Sequence, residues 1–219
     1  MIAAVVFDLD GVILESEEVW DEVRGRYVVE RGGRYDAEAQ RAMMGMSAPE
    51  WSRYLSDELG VPGRPEQISD DLVALMTARY REELPLIPGA AEAVERLAAR
   101  WPLGLASSSN RRLIDAVLEL SGLDRYFRAT VSSGEVERGK PAPDVYLEAA
   151  QRLDVAADLC VAVEDSHAGI RSAEAAGMRV IAIPNPSYPP EPEALDLADR
   201  VLQSIAELTV AAVESLDHR

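Results

Sequence analysis

Residues 2–7, Ile-Ala-Ala-Val-Val-Phe, are apolar at every position. A strand with one wetted face alternates apolar and polar side chains, so a strand without alternation is covered on both faces. Short runs of the same kind stand at Leu103–Ala106, Cys160–Val163 and Arg179–Ile183. Between them, apolar residues recur at helical spacing over 89–100, 111–120, 144–152 and 167–176, and Gly177 follows the last as a helix-ending glycine. This alternation predicts an α/β fold: a doubly wound, mostly parallel sheet, Rossmann-like, with right-handed crossovers. Weaker strand patterns lie near 130 and 201, and 204–216 reads as a closing helix.

One stretch breaks the alternation directly after the first strand. Helical patterns follow one another at 17–31, 36–43, 49–60 and 66–83 with no strand between them. We expect an inserted helical subdomain over 15–84, with the α/β core formed by 1–14 and 85–219. The crossings fall near Leu14–Ser16 and Leu84–Pro88, the second marked by Pro85 and Pro88-Gly89.

Charge and composition exclude several partners. With 39 acidic and 22 basic residues, the chain carries a formal net charge of -17. That balance argues against a general nucleic-acid binder and against a polybasic membrane-surface protein. The first apolar run has no basic stretch before it and is too short for a signal peptide or a membrane span. Cys160 is the single cysteine, so no internal disulfide forms, and a reducing cytoplasmic location is expected. A monomer and a homodimer are equally compatible with these features.

In a doubly wound sheet, ligands bind beyond the carboxyl ends of the strands. Three polar clusters follow predicted strands: Asp8-Leu9-Asp10-Gly11, Ser107-Ser108-Ser109-Asn110 and Glu164-Asp165-Ser166. Asp8 and Asp10 stand two residues apart and can project to the same side. With Asp165 arriving from another strand, uncompensated carboxylates would repel one another, and a hard divalent cation such as Mg²⁺ relieves this. Gly11 permits a tight turn after the pair. Ser107 can offer a hydroxyl to a phosphate near the start of the following helix, although Ser and Asn in such positions also serve as plain caps. Lys140, the only lysine in the chain, lies in Gly139-Lys140-Pro141-Ala142-Pro143-Asp144, with Asp144 placed to cap the next helix. Its compact ammonium suits joint neutralisation of a phosphate and a carboxylate.

These segments, together with Phe7-Asp8-Leu9-Asp10-Gly11-Val12-Ile13 and Val163-Glu164-Asp165-Ser166, resemble the four ordered motifs of the haloacid dehalogenase superfamily. The resemblance spans essentially the whole chain and makes the helical insert the family's cap. It implies a Mg²⁺-dependent phosphatase of a small phosphorylated metabolite. Asp8 would be the nucleophile that forms an aspartyl-phosphate, and Asp10 the general acid and base. Ser107 and Lys140 would hold and stabilise the phosphoryl group, with Ser108 and Asn110 also substrate-binding. Asp8, the Asp10 backbone carbonyl and Asp165 would hold the metal, with Glu164 either a ligand or a neighbour that supports the ligands.

Within the superfamily, dehalogenases lack the second motif aspartate, whereas Asp10 is present here. The insert contains no lysine, which disfavours the Schiff-base hydrolases, and no histidine, which disfavours a β-phosphoglucomutase-like mutase. The mutase and a non-enzymatic metabolite-binding protein remain the alternatives. Glu15 and Ser16 lie at the hinge. Trp20, Arg24, Met44, Met46, Trp51 and Arg53 are candidates to face the substrate, but Met and Trp at helical spacing usually pack in a core and arginines are usually solvated. Only the loop 44–47, with Gly45 and Met46, is retained as a cap contact. Cys160 is expected to be inert packing, and neither His167 nor His218 is assigned a catalytic role.

Overall fold

A computed structural model describes the chain except for Met44, Gly45, Tyr188 and Arg219. The first apolar run forms β1 (Ala4–Phe7). Its side chains divide between two cores: Val5 and Phe7 face one, Ala4 and Val6 the other. This is the two-faced burial expected of a central parallel strand.

The helical stretch follows as α1 (Glu17–Glu30), α2 (Ala37–Met43), α3 (Ala48–Asp57) and α4 (Pro65–Glu82). The two crossings pair with each other. Leu14 and Leu86 form an antiparallel bridge, the Glu15 N–H donates to the Pro85 carbonyl at 2.9 Å, and the Ile87 N–H donates to the Ile13 carbonyl at 2.9 Å. The insert is therefore tied to the sheet by two short, hydrogen-bonded segments side by side.

The chain then runs through α5 (Ala90–Ala98), β2 (Leu103–Ser107), α6 (Arg111–Ser121), β3 (Phe127–Ser132), α7 (Asp144–Leu153), β4 (Cys160–Glu164), α8 (His167–Ala175), β5 (Arg179–Ala182), α9 (Pro192–Leu195), β6 (Arg200–Val201) and α10 (Val210–Glu214). Every strand pairing is parallel, and the order across the sheet is β3-β2-β1-β4-β5-β6. The winding direction reverses between β1 and β4, which marks the crevice where such sheets bind ligands. The patterns near 130 and 201 are the two edge strands, β3 and β6.

Two local expectations are corrected. The tail over 204–216 is not one helix. It divides into a 3₁₀ turn at Ile205–Glu207, α10 and a further 3₁₀ turn at Ser215–His218. Leu208 is fully buried and its carbonyl accepts from the Arg96 guanidinium at 2.7 Å, so that carbonyl is spent outside any helix; Thr209 then caps α10 through the Ala212 N–H. Asp144 does not cap α7 either. It is the first helical residue, and its carboxylate takes both arms of Arg138, at 2.7 and 3.2 Å. Cys160 is buried as expected, and burial pushes its thiol up to about 11. Among the described residues, no helix is long and apolar enough to cross a membrane.

Candidate active site

Because β1, β2 and β4 are neighbours in the sheet, the three polar clusters that end them meet at one edge. They open into a cavity of about 860 Å³ whose lining includes Asp8, Asp10, Lys140 and Asp165 from the sheet side and residues of α1, α2 and α3 from the insert.

Lys140 is the centre of the charge arrangement. Its ammonium lies 2.7 Å from Asp8 Oδ1 and 2.5 Å from Glu164 Oε1, with all three side chains at or below 8% exposure. Burial alone would discharge the lysine, but Asp8 and Glu164 together hold its pKa above the ordinary value. A loop lysine, a residue usually solvated, has here been folded inward.

Glu164 is fully buried and saturated with donors. Oε1 accepts from Lys140 and, at 2.8 Å, from the Tyr146 hydroxyl. Oε2 accepts from the Asp165 N–H at 3.0 Å, the Ser166 N–H at 3.2 Å and the Ser166 hydroxyl at 3.1 Å. Tyr146 carried no sequence signal for this role; it sits at an apolar position of α7.

Asp8, Glu164 and Asp165 each offer a carboxylate oxygen within 4.8 Å of the others. Burial raises the Asp8 carboxyl to about 7, with Lys140 opposing and Glu164 and Asp10 adding to the rise. Burial likewise lifts Asp165 well above its ordinary range, reinforced by Glu164 and Asp8 and partly offset by Lys140. One ammonium does not balance this group. The donors are hard oxygens with no imidazole or thiolate among them, so the residues present fit a small hard dication.

Asp10 is set apart from the cluster. Its carboxylate is clamped by two hydroxyls, Ser16 at 2.6 Å on Oδ1 and Ser109 at 2.7 Å on Oδ2. Ser16 comes from the hinge and Ser109 from the loop after β2. Gly11 has φ +79°, and a Cβ on it would overlap the Asp165 carboxylate.

The second cluster divides its work. Ser107 is fully buried and its hydroxyl oxygen accepts the Ser109 N–H at 3.0 Å, shaping the loop. Ser108, Ser109 and Asn110 line the cavity, and Asn110 also caps α6 by accepting the Arg112 N–H at 3.0 Å. In the insert, Trp20, Trp51 and Met46 line the cavity, and both tryptophans are buried as the core reading required. Gly45 and Met44 lie outside the described residues. Arg53 is exposed and lines a separate cavity of about 410 Å³. Arg24 is buried in the main cavity wall, contrary to the expectation of a solvated arginine. His167, the first residue of α8, also lines the cavity.

The model of haloacid dehalogenase-like hydrolases matches residues 2–177. The chain belongs to that family. It is 34% identical over 216 residues to hexitol phosphatase B of Escherichia coli, covering 95% of each protein. It is 29% identical over 208 residues to the bifunctional riboflavin kinase/FMN phosphatase of Arabidopsis thaliana, of which it spans 54%. The crystal structure of CbbY from Rhodobacter sphaeroides, in complex with phosphate, superposes with a TM-score of 0.87 at 29% identity, over 98% of this chain and all of that one. The protein is a hydrolase of the phosphoric monoester class, with the fold its motifs implied.

Proposed function

We propose that the protein hydrolyses a small phosphorylated sugar or sugar alcohol through an aspartyl-phosphate, with Mg²⁺ as cofactor. The convergence of Asp8, Asp10, Lys140 and Asp165 on one cavity carries the reading. The similarity to hexitol phosphatase B supports the substrate class.

Asp8 is the nucleophile. Only its Oδ1 has a partner among the described residues, so the carboxylate keeps an oxygen for attack. That oxygen bonds to phosphorus as the ester P–O bond breaks, and Asp10 supplies the proton to the leaving alkoxide. Asp10 then takes a proton from a water molecule, the water oxygen attacks phosphorus, the Asp8 O–P bond breaks and inorganic phosphate leaves. Lys140 neutralises charge on the phosphoryl oxygens and on Asp8. Ser108 and Asn110 contact the substrate, and Ser107 positions their loop and has a hydroxyl hydrogen to give. Asp8, the Asp10 carbonyl and Asp165 hold Mg²⁺, which when bound supplies positive charge for the phosphoryl oxygens. Glu164, with five donors on two oxygens, orients Lys140 and Asp165 rather than binding the metal. Residues 15–84 act as the cap, hinged on the paired crossings at Leu14 and Leu86.

The test is phosphate release from a panel of phosphorylated sugars and polyols, with and without Mg²⁺, using Asp8→Asn as control. Mg²⁺-dependent release that the variant abolishes is the expected result. Release that survives in Asp8→Asn would sink the aspartyl-phosphate mechanism.

A further inference from the structure

Arg24 has no place in the chemistry above. It stands on α1 and is 6% exposed, yet it lines the main cavity. Its guanidinium carbon lies 4.3 Å from the centre of the Trp20 ring and 5.4 Å from that of Trp51. The two indoles are themselves in contact, with centroids 5.8 Å apart. Among the described residues, Arg24 makes no hydrogen bond and no ion pair, and its Nε is buried without a partner. Glu17 lines the same cavity from two turns earlier on α1 but does not come within ion-pair distance. Arg41, the other arginine lining the cavity, is exposed.

A buried, unpaired guanidinium is costly, and proteins retain one where a ligand completes it. Two aromatic rings beside it orient the planar fork, and its two Nη groups are left with N–H donors in a geometry that fits carboxylate or phosphate. Lys140 and the metal cluster already account for the phosphate being cleaved. We infer that Arg24, framed by Trp20 and Trp51, is a second anion subsite, and that the preferred substrate is a phosphate monoester bearing a second anionic group at its far end.

This inference rests on the phosphatase reading, so the test separates the two. Phosphate release is measured on two matched pairs of probes. One pair is glucose 1,6-bisphosphate and glucose 1-phosphate; the other is 6-phosphogluconate and glucose 6-phosphate. The first arm offers a second phosphate and the second a carboxylate. Binding of each probe is followed independently by tryptophan fluorescence, since Trp20 and Trp51 flank the subsite.

The wild-type enzyme is expected to favour the doubly anionic member of at least one pair by tenfold or more in kcat/KM. Arg24→Met is expected to cut that preference at least tenfold, through KM, and to remove the fluorescence response to the same probe. Arg24→Lys is expected to restore part of both. Thermal unfolding of each variant identifies any loss that is merely structural, and Arg24→Lys carries the comparison if Arg24→Met does not fold. Equal loss on both members of each pair would overturn the subsite, as would a wild-type enzyme with no preference. If no probe releases phosphate but the doubly anionic probes still give an Arg24-dependent fluorescence change, the subsite stands and the phosphatase reading falls.

Discussion

Lys140 and Glu164 meet at 2.5 Å in a corner where neither side chain is more than 3% exposed. A buried ion pair of this kind is costly to form and costlier to break, because removing one member leaves the other charge without compensation. Here the ammonium is shared with Asp8, so the pair links the carboxylate at the end of β4 to the one at the end of β1. Lys140→Met is expected to lower kcat at least ~100-fold, the scale of losing one preorganised charge donor. It is also expected to destabilise the fold by about 3 kcal/mol. Steady-state kinetics and urea unfolding read the two effects; turnover within tenfold of wild type would sink the role given to Lys140.

Glu164 needs space as well as partners. A Cβ placed on Gly169, in the first turn of α8, would overlap the Glu164 carboxylate. That oxygen pair is fully buried and pinned by five donors. Gly169→Ala is expected to cost about 1 to 3 kcal/mol, the range for overpacking a well-filled site. Activity should fall with it, because Glu164 would release Lys140 or Asp165. A variant with an unchanged melting temperature would show that the helix yields instead.

The acid cluster makes stability depend on pH and metal together. In the metal-free protein, burial raises the Asp8 carboxyl from 3.8 to about 7. Between those values the folded protein holds a proton that the unfolded chain has released, so stability falls as pH rises through the window. Asp165 acts in the same direction. On the proposed reading Mg²⁺ would bind the carboxylate forms and oppose this, so its stabilisation is expected to be greater at pH 7.5 than at pH 5. Thermal melts at both pH values, with EDTA and with Mg²⁺, check the sign; an equal Mg²⁺ effect at both would remove these carboxylates as the binding site.

Asp10 depends on two hydroxyls from different parts of the chain. Ser16→Ala and Ser109→Ala each remove one clamp, and each is expected to cost about 1 kcal/mol in stability. If Asp10 carries the proton, both variants should lower kcat more than they raise KM and should shift the pH–rate profile. A change confined to KM would place the serines in substrate binding instead.

The parallel sheet, the run of helices between its first two strands, and acids placed just past the ends of β1 and β4 were legible in the sequence; that Lys140 joins those acids was implied only by the resemblance of its motif. The first three rest on local patterns: a run of apolar residues, a helical period, and acids just past a strand end. The single helix proposed for 204–216 failed because Arg96, a residue distant in sequence, claims the Leu208 carbonyl. Tyr146 was missed because a tyrosine among apolar helix positions is indistinguishable from packing until its hydroxyl is seen to reach Glu164.

What the sequence determined by itself was therefore the architecture and the positions of the acids, since strand ends and helix starts follow from periods within a few residues. Whether a side chain is solvated, paired or buried depends on elements far apart in the chain. Tertiary structure alone saturates Glu164 with donors from α7, the Lys140 loop and its own strand end. It alone buries Arg24 against the touching tryptophans of α1 and α3, turning an arginine that would ordinarily be surface charge into an unpaired cation facing the site. Burial removes the water that would otherwise satisfy these groups, and only packing decides what takes its place.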